Sequence, residues 1–301
     1  MRKALLFCGW CWCATSPLVY TLQRKIKYAH FGYTKNFPYP SPQTKFILKK
    51  YIEGTWENYK SFEPSSHRMN TTEDLEPLKD FSIDYFKKLV TGVPTISKYM
   101  DYMIALHDHV VSKGYKSVGC SESSFKYQKA LLSKFEVKCL FIVRDPIRRA
   151  FGQYMNAIQR VMDQSCPEGS QFNPRYKLPY EFNVINYLAN IDYCCEIYGK
   201  ENVHMTVMEE LWEDDGTARK KLSEFLGHPI DKLWKNLYAP DRGHLVKYDK
   251  DVPCQAYGQD QKELTPMIYY ELLKKYQHVY DMWRERFGSL PMHWGKPITY
   301  E

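Results

Sequence analysis

The apolar run Val137-Lys138-Cys139-Leu140-Phe141-Ile142-Val143 is followed directly by Arg144-Asp145-Pro146. A run of this length that stops abruptly at a turn signal predicts a buried strand. Pro146 then predicts the first turn of a helix, where its missing N–H group is not needed. Arg144 is therefore expected at the carboxyl end of a core strand, where α/β sheets bind ligands and where its planar guanidinium group suits a phosphate. The alternative for Arg144 is a solvated basic helix start.

Strands and helices alternate along the rest of the chain. Further buried strands are predicted over residues 4–8, 117–120 and 203–207. Helices are predicted over residues 96–113, 126–135, 181–198 and 217–226, after Pro146, and from Pro266 onward, with Thr217 as the cap of the fourth. The buried face of the last helix is expected to consist of Ile268, Leu272, Tyr276, Val279, Tyr280, Trp283 and Phe287. This alternation predicts an α/β fold in which helices flank a central parallel β-sheet on both faces.

The composition is that of a globular protein with a hydrophobic core. Of 301 residues, 44% are hydrophobic and 26% are charged, which excludes a disordered chain, collagen and a small disulfide-stapled scaffold. The chain has 42 Lys and Arg residues and 35 Asp and Glu residues, which gives a net charge of +7. No basic stripe or recognition motif accompanies this charge, so nucleic-acid binding is not predicted. The sequence has no apolar run of about 18 residues and therefore predicts no membrane span.

The first 14 residues resemble a secretory signal, because two basic residues precede an apolar stretch. The possible cleavage sites fit poorly. A cut after Ala14 would place bulky Trp12 where a small residue is needed, and a cut after Ser16 would precede a proline. We therefore expect a cytoplasmic protein, with the secretory pathway as the alternative if residues 1–14 act as a signal.

The nine cysteines show no spacing typical of a disulfide framework or a zinc site. Cys8 and Cys139 fall in predicted strands and are expected to be buried thiols. Most of the cysteines are expected to stay reduced, as in the cytosol. A bridge between the loop residues Cys166 and Cys254 is left open.

A second candidate binding segment is the loop Gly9-Trp10-Cys11-Trp12-Cys13-Ala14-Thr15-Ser16. A strand that turns sharply into a helix aims several unpaired backbone N–H groups at one point, which favours a phosphate. The spacing approaches the Walker A pattern, but Ala14 replaces its second Gly and Thr15 replaces its Lys. The alternative is an ordinary buried strand followed by a helix cap at Ser16.

Taken in order, these segments resemble the sulfotransferases that use 3′-phosphoadenosine 5′-phosphosulfate (PAPS). The resemblance is carried by the P-loop-like turn after the first strand, the R-D-P-x-x-R-x-F-x-Q-Y run from Arg144, and a strand ending in E-x-L before a helix that closes at Gly227. The stretch Glu122-Ser123-Ser124-Phe125-Lys126-Tyr127 resembles the carbohydrate-directed members most. The resemblance implies a P-loop NTPase-like architecture and a single domain over residues 1–301. Residues from about 30 to 95 would be a divergent insertion or a substrate-side region.

The resemblance also implies a set of site residues. Glu122 corresponds to the general base that takes the proton of the acceptor, a role for which a dry site must raise the pKa of a carboxylate. The alternative for Glu122 is an acidic residue favoured at a helix N-terminus. The implied cofactor contacts are Trp12, Cys13, Ala14, Thr15, Ser16, Arg144, Gly152, Arg242 and His244.

Three positions in these segments depart from the family pattern. Trp12 stands at the position of the catalytic Lys or Arg, Ser123 at that of a Lys, and Gly152 at that of a Ser that binds the 3′-phosphate. The candidate replacement cations are Lys126, Arg148, Arg149, Arg242, His244 and Lys247, of which Arg148 is expected to point outward from its helix.

The resemblance implies in-line transfer of a sulfuryl group from PAPS to a hydroxyl or amine group, which leaves adenosine 3′,5′-bisphosphate. The expected partners are the nucleotide and a glycan or small hydroxyl acceptor, and no metal is expected. Aromatic residues that would stack on sugar rings, or else belong to the core, are Tyr99, Tyr102, Phe172 and Tyr176. One alternative is a degenerate member that binds nucleotide or glycan without turnover. A P-loop nucleotide kinase is less favoured, because the loop Lys is missing and no Asp after a strand is convincing as a Mg²⁺ ligand.

Overall fold

The structure is a computed structural model of the chain. It describes residues 1–9, 18–19, 21–31, 76–78, 81, 95–121, 129–151, 187–212, 216–231, 264–292 and 294–297.

Among the described residues, five parallel strands form the central sheet. They are β1 (Arg2–Gly9), β2 (Ala29–His30), β3 (Ser117–Ser121), β4 (Phe135–Val143) and β5 (Val203–Val207), in the spatial order β2-β3-β1-β4-β5. The strands predicted over 4–8, 117–120, 137–143 and 203–207 are confirmed. β2 was not predicted, because a strand of two residues leaves no periodic pattern to detect.

Helices connect and cover these strands. They are α1 (Ile96–Ser112), α2 (Leu188–Tyr198), α3 (Thr217–Leu226) and α4 (Pro266–Phe287), and residues 146–151 are helical as well. Shorter turns of helix are the π-helical Thr21–Lys25 and the 3₁₀-helical Glu76–Leu78, Leu131–Ser133, Lys200–Asn202 and Glu209–Trp212. Within the described ranges, no helix combines the length and the apolar character needed to cross a bilayer.

Alternate residues of β1 face two different apolar layers. Leu6 and Cys8 pack with α1, α2 and α4, whereas Leu5 and Phe7 pack with α3 and with the helical residues that follow β1. All four are almost inaccessible to solvent. A strand buried on both faces belongs to a sheet with helices on both sides. The predicted fold class is therefore confirmed.

The local chemistry explains the limits of two helices. Thr265 caps α4 by accepting a hydrogen bond from the Ile268 N–H group, and Pro266 occupies the first helical position. The predicted cap of α3 is wrong by one residue. Gly216, with a φ of 67°, is the N-cap, and Thr217 already belongs to the helix. Gly227 ends α3 in the left-handed conformation, as a C-terminal glycine commonly does.

The predicted buried face of α4 is partly wrong. Ile268 and Phe287 are exposed, and Tyr269 is buried in place of Ile268. The buried residues Tyr269, Val279, Tyr280 and Trp283 share one face of the helix, and that face begins one residue later than predicted. The helical backbone is also interrupted at Tyr276 (φ −109°, ψ 17°).

One smaller prediction is also corrected. The helix predicted over 126–135 does not reach its end, because Leu131–Ser133 is a 3₁₀ turn and Phe135 begins β4. For Tyr99 and Tyr102 the alternative of a core position is confirmed, since both are buried and neither is available to stack on a sugar. Phe172 and Tyr176 lie outside the described residues.

Cys8, Cys120, Cys139 and Cys194 are buried on one side of the sheet and form no disulfide. The burial predicted for Cys8 and Cys139 is confirmed. Cys166 and Cys254 lie outside the described residues.

Candidate anion-binding site

The candidate segments begin at neighbouring points on one edge of the sheet. Gly9, the first residue of the loop over 9–16, pairs with Ile142 near the end of β4. Ser121, the residue before Glu122, pairs with Phe7 at the end of β3. Arg144 directly follows β4. The carboxyl ends of parallel strands form the edge at which α/β proteins bind ligands, so the sheet brings the starts of these segments together there.

Hydrogen bonds to buried side chains hold the backbone at Arg144 in place. Its side chain is buried, with 1% of its surface exposed. Its carbonyl oxygen accepts a hydrogen bond of 2.9 Å from the hydroxyl group of Tyr187, which precedes α2. The next N–H group, that of Asp145, donates to Oε1 of Glu209 over 3.1 Å. Both polar groups of the peptide unit after Arg144 are thus satisfied by buried side chains.

Asp145 is completely buried and accepts five hydrogen bonds. At the start of the helix over 146–151, it caps the N–H groups of Ile147 and Arg148, each over 3.0 Å. The remaining donors come from α4 and from the chain beyond it, and they are the Tyr269 hydroxyl at 2.7 Å, the Tyr280 hydroxyl at 3.0 Å and the Gly295 N–H group at 3.3 Å. Five donors satisfy a carboxylate that has lost its water.

Glu209 is the second buried carboxylate of the cluster. Besides accepting from Asp145, it accepts a hydrogen bond of 3.3 Å from Nε1 of Trp294. Burial raises the pKa of Glu209, and the nearby guanidinium groups of Arg144 and Arg148 oppose that rise. The carboxylate and the guanidinium groups therefore share one water-poor region of the protein.

Arg148 corrects a prediction. It was expected to point outward, but its side chain is buried, with 2% exposed. Its Nη2 donates a hydrogen bond of 2.6 Å to the carbonyl oxygen of Lys296, and its guanidinium group lies over the ring of Tyr269 at 5.7 Å. Arg149, the next residue, is buried as well. The start of this helix is thus packed inside the protein and is not a solvated basic turn.

Aromatic rings form one wall of this region. The rings of Trp283 and Trp294 lie 4.7 Å apart, and those of Tyr187 and Trp294 lie 6.4 Å apart. Burial and the adjacent Asp145 raise the pKa values of Tyr269 and Tyr280 well above their usual range. The two phenols therefore stay protonated and remain donors to Asp145 at neutral pH.

Of the predicted site residues, the structure describes Arg144 and places it in this cluster. The others lie outside the described residues, and they are Trp12, Cys13, Ala14, Thr15, Ser16, Glu122, Gly152, Arg242 and His244. The sequence reasoning missed the supporting residues Glu209, Tyr187, Tyr269, Tyr280 and Trp294. Only Asp145 carried a local signal, since Asp before Pro at a helix start is typical of an N-cap.

The cluster has the chemistry of an anion site. Guanidinium groups bind phosphate through two parallel hydrogen bonds, and a water-poor surrounding strengthens such bonds. Among the described residues, no group of three or more His, Cys, Asp or Glu side chains is arranged to bind a metal ion. Arg144 is the arginine of this region that directly follows β4.

The sequence matches no protein-family model and none of the curated proteins. Among solved structures, the chain is similar to a sulfotransferase from Alicyclobacillus acidocaldarius, with 17% identity, coverage of 98% of this chain and 99% of the other, and a TM-score of 0.48. It is also similar to the sulfotransferase STF9 from Mycobacterium avium, with 14% identity, 96% and 78% coverage and a TM-score of 0.43. A sulfotransferase domain of the Synechococcus PCC 7002 olefin synthase has 12% identity, 80% and 79% coverage and a TM-score of 0.39. Similarities at this level concern the course of the chain and do not bear on its ligand or its reaction.

Proposed function

We propose that the protein is a sulfotransferase that moves a sulfuryl group from PAPS to a hydroxyl or amine group of a carbohydrate. The observation that carries this proposal is the position of Arg144. It is a buried arginine directly after β4, at the carboxyl edge of the sheet, beside the point where the loop over 9–16 begins. The R-D-P run and the loop are the two segments that resemble the nucleotide-binding motifs of PAPS-dependent enzymes.

In this proposal each segment has a separate task. Arg144 binds the 3′-phosphate, and the backbone N–H groups over 13–16 bind the 5′-phosphate. Glu122, which follows the last residue of β3, takes the proton from the acceptor. PAPS supplies the sulfuryl group. The protein contributes alignment of donor and acceptor and stabilisation of the charge that develops on the leaving oxygen.

The second candidate function follows from the residue at the position that would stabilise this developing charge. Trp12 occupies the position of the catalytic cation, and an indole ring carries no charge to offset that of a leaving phosphate. Ser123 and Gly152 remove two further polar contacts of the family pattern. These three departures favour, as the alternative, a protein that binds the nucleotide or a glycan without turnover.

A nucleotide kinase is supported less well. Such enzymes hold Mg²⁺ with a carboxylate that follows a strand. Asp145 is the carboxylate that follows β4, but both of its oxygens already accept hydrogen bonds from buried donors. It is therefore better suited to hold the surrounding elements together than to hold a metal ion.

The first experiment is calorimetric titration of the protein with adenosine 3′,5′-bisphosphate and with ATP. We expect the bisphosphate to bind and Arg144→Lys to weaken it, because an ammonium group cannot form two parallel bonds to a phosphate. Arg286→Lys is the matched control, since Arg286 forms an exposed ion pair with Asp192 on α2. The absence of binding at millimolar bisphosphate would reject the proposal, and tighter binding of ATP would favour the kinase.

The second experiment tests turnover. Transfer of labelled sulfate from PAPS to a panel of glycans is compared between the wild type and Glu122→Gln. We expect transfer by the wild type and a large loss in the variant. Equal rates would remove Glu122 from the role of base, and binding without transfer to any acceptor would favour the degenerate protein.

A further inference from the structure

The two carboxylates of the site connect the same two parts of the chain. Oδ1 of Asp145 accepts from the helix start at Ile147 and Arg148, and its Oδ2 accepts from the N–H group of Gly295. Oε1 of Glu209 accepts from the Asp145 N–H group, and its Oε2 accepts from Nε1 of Trp294. Each carboxylate thus bonds through one oxygen to the residues after Arg144 and through the other to the segment over 294–297, and the two oxygens of Asp145 also accept from the hydroxyls of Tyr280 and Tyr269 on α4.

A third link runs in the opposite direction. Nη2 of Arg148 donates to the carbonyl oxygen of Lys296. Three hydrogen-bonded connections therefore join the helix start to three consecutive residues, Trp294, Gly295 and Lys296. Trp294 is buried between Trp283, Tyr280 and Tyr187, so the segment is also fixed by packing.

Stability alone does not explain why the cluster is charged. Burying a carboxylate carries a large desolvation cost, and buried ionic groups are often replaced by apolar residues without loss of stability. What the hydrogen bonds of these carboxylates supply is a defined geometry, because each oxygen accepts only from donors in a defined position. Here the fixed object is the peptide unit after Arg144, whose two polar groups bond to Tyr187 and Glu209.

We propose that Asp145 and Glu209 are positioning residues of the nucleotide site, which hold the segment over 294–297 against the helix start and thereby fix the backbone that aims the Arg144 side chain. This inference rests on the proposed function, since it assigns the fixed arginine to the nucleotide phosphate. A loss of either carboxylate then weakens nucleotide binding in protein that is still folded. Neither residue touches the nucleotide in this proposal.

Asp145→Asn tests the bond of Asp145 to Gly295 separately from its role as a helix cap. Asparagine is as good a helix cap as aspartate, so its carbonyl oxygen can keep the bonds to Ile147 and Arg148. Its amide nitrogen then faces the Gly295 N–H group, and two donors cannot bond to each other. In Glu209→Gln the side-chain amide nitrogen likewise faces a donor, either the N–H group of Asp145 or Nε1 of Trp294. Asp192→Asn, in an exposed ion pair on α2, is the matched control.

The test measures the affinity for adenosine 3′,5′-bisphosphate by calorimetry, well below the unfolding temperature, and the folded fraction by circular dichroism. We expect Asp145→Asn and Glu209→Gln to weaken binding per folded molecule about tenfold, equivalent to about 1.4 kcal/mol. Amide hydrogen exchange over 294–297 should accelerate in both variants and stay unchanged in Asp192→Asn. A residue that only stabilises the fold would lower the folded fraction and leave the affinity of folded molecules unchanged.

The outcomes separate the two proposals. If the wild type does not bind the bisphosphate, the proposed function is wrong and this inference falls with it. If the wild type binds, and the folded variants bind within about twofold of it, the inference is wrong and the proposed function stands. Should both variants fail to fold, Trp294→Phe removes the donor to Glu209 from the segment over 294–297 and is expected to weaken binding about threefold, the effect of one modest hydrogen bond. Unchanged affinity in that variant overturns the inference as well.

Discussion

The hydroxyl group of Tyr269 donates a hydrogen bond of 2.7 Å to Oδ2 of Asp145. Tyr269 lies in the first turn of α4, and Asp145 is the second residue after β4. The bond therefore fixes the start of the last helix at the carboxyl edge of the sheet.

Replacing Tyr269 with Phe removes this bond and leaves the ring in place. We expect the free energy of unfolding to fall by about 1 to 3 kcal/mol, because a buried carboxylate loses one of its donors. The neighbouring Tyr270 is half exposed and provides the matched control, Tyr270→Phe. Urea unfolding of both variants measures the difference, and equal stabilities would show that the bond contributes nothing.

Glu209→Gln should change how stability depends on pH. Burial raises the pKa of Glu209, so the folded protein takes up a proton on this residue at a higher pH than the unfolded chain does. That uptake stabilises the folded state as the pH falls, and the stabilisation is lost as the pH rises through the raised pKa. We therefore expect the wild type to gain stability relative to the variant as the pH falls toward the ordinary range of a glutamate pKa.

Asp108→Asn is a control of opposite sign for that experiment. The Arg2 guanidinium group lowers the pKa of Asp108 by a hydrogen bond, and His107 acts in the same direction. The contribution of Asp108 is present above its ordinary pKa and is lost as the pH falls through the lowered one. A relative gain for the wild type over Asp108→Asn on acidification would contradict this assignment of signs.

His204 is expected to make the folded state less stable as the pH falls. Burial, with a smaller contribution from Lys221, lowers its pKa from 6.5 to about 4. The unfolded chain therefore binds a proton at this residue at a higher pH than the folded protein does, and acidification favours unfolding. His204→Phe keeps a ring against Phe225, whose centroid lies 5.0 Å away. We expect the variant to lose less stability than the wild type between about pH 6.5 and pH 5, with the same replacement at the exposed His278 as the control.

Gly119 lies where a side chain has no room. A Cβ atom at this position would lie 2.6 Å from the ring of Phe31, which packs edge-on against Phe7. We expect Gly119→Ala to destabilise the fold by about 1 to 3 kcal/mol through this overlap. Adding Phe31→Leu should make the effect of Gly119→Ala smaller than it is alone. Additive effects in this double-mutant cycle, measured by urea unfolding, would show that the ring is not the cause.

The sequence predicted most of the sheet, because β1 and β4 are apolar runs that end at clear turn signals. It also predicted Arg144 at a strand end, since that position depends only on the run before it. The support of Arg144 was not predictable in the same way. Glu209 and Trp294 bond to each other across 85 positions, and no local pattern brings such residues together.

The predicted direction of Arg148 failed for a related reason. A charged side chain near a helix start is usually solvated, and local propensity favours that answer. Here the carbonyl oxygen of Lys296 and the ring of Tyr269 come from distant segments and receive the side chain inside the protein. Tertiary contacts therefore override the local preference at this position.

The position of β1 in the middle of the sheet has a consequence for the synthesis of the protein. β1 begins at Arg2, but its two neighbours are made more than a hundred residues later, with Ala4 beside Val118 and Arg2 beside Phe135. Pairings of such long sequence separation must pay for closing a large loop before they form, which slows folding. The apolar strand β1 is thus synthesised well before β3 and β4, the two strands with which it pairs. We expect the nascent chain to need protection from aggregation during that interval.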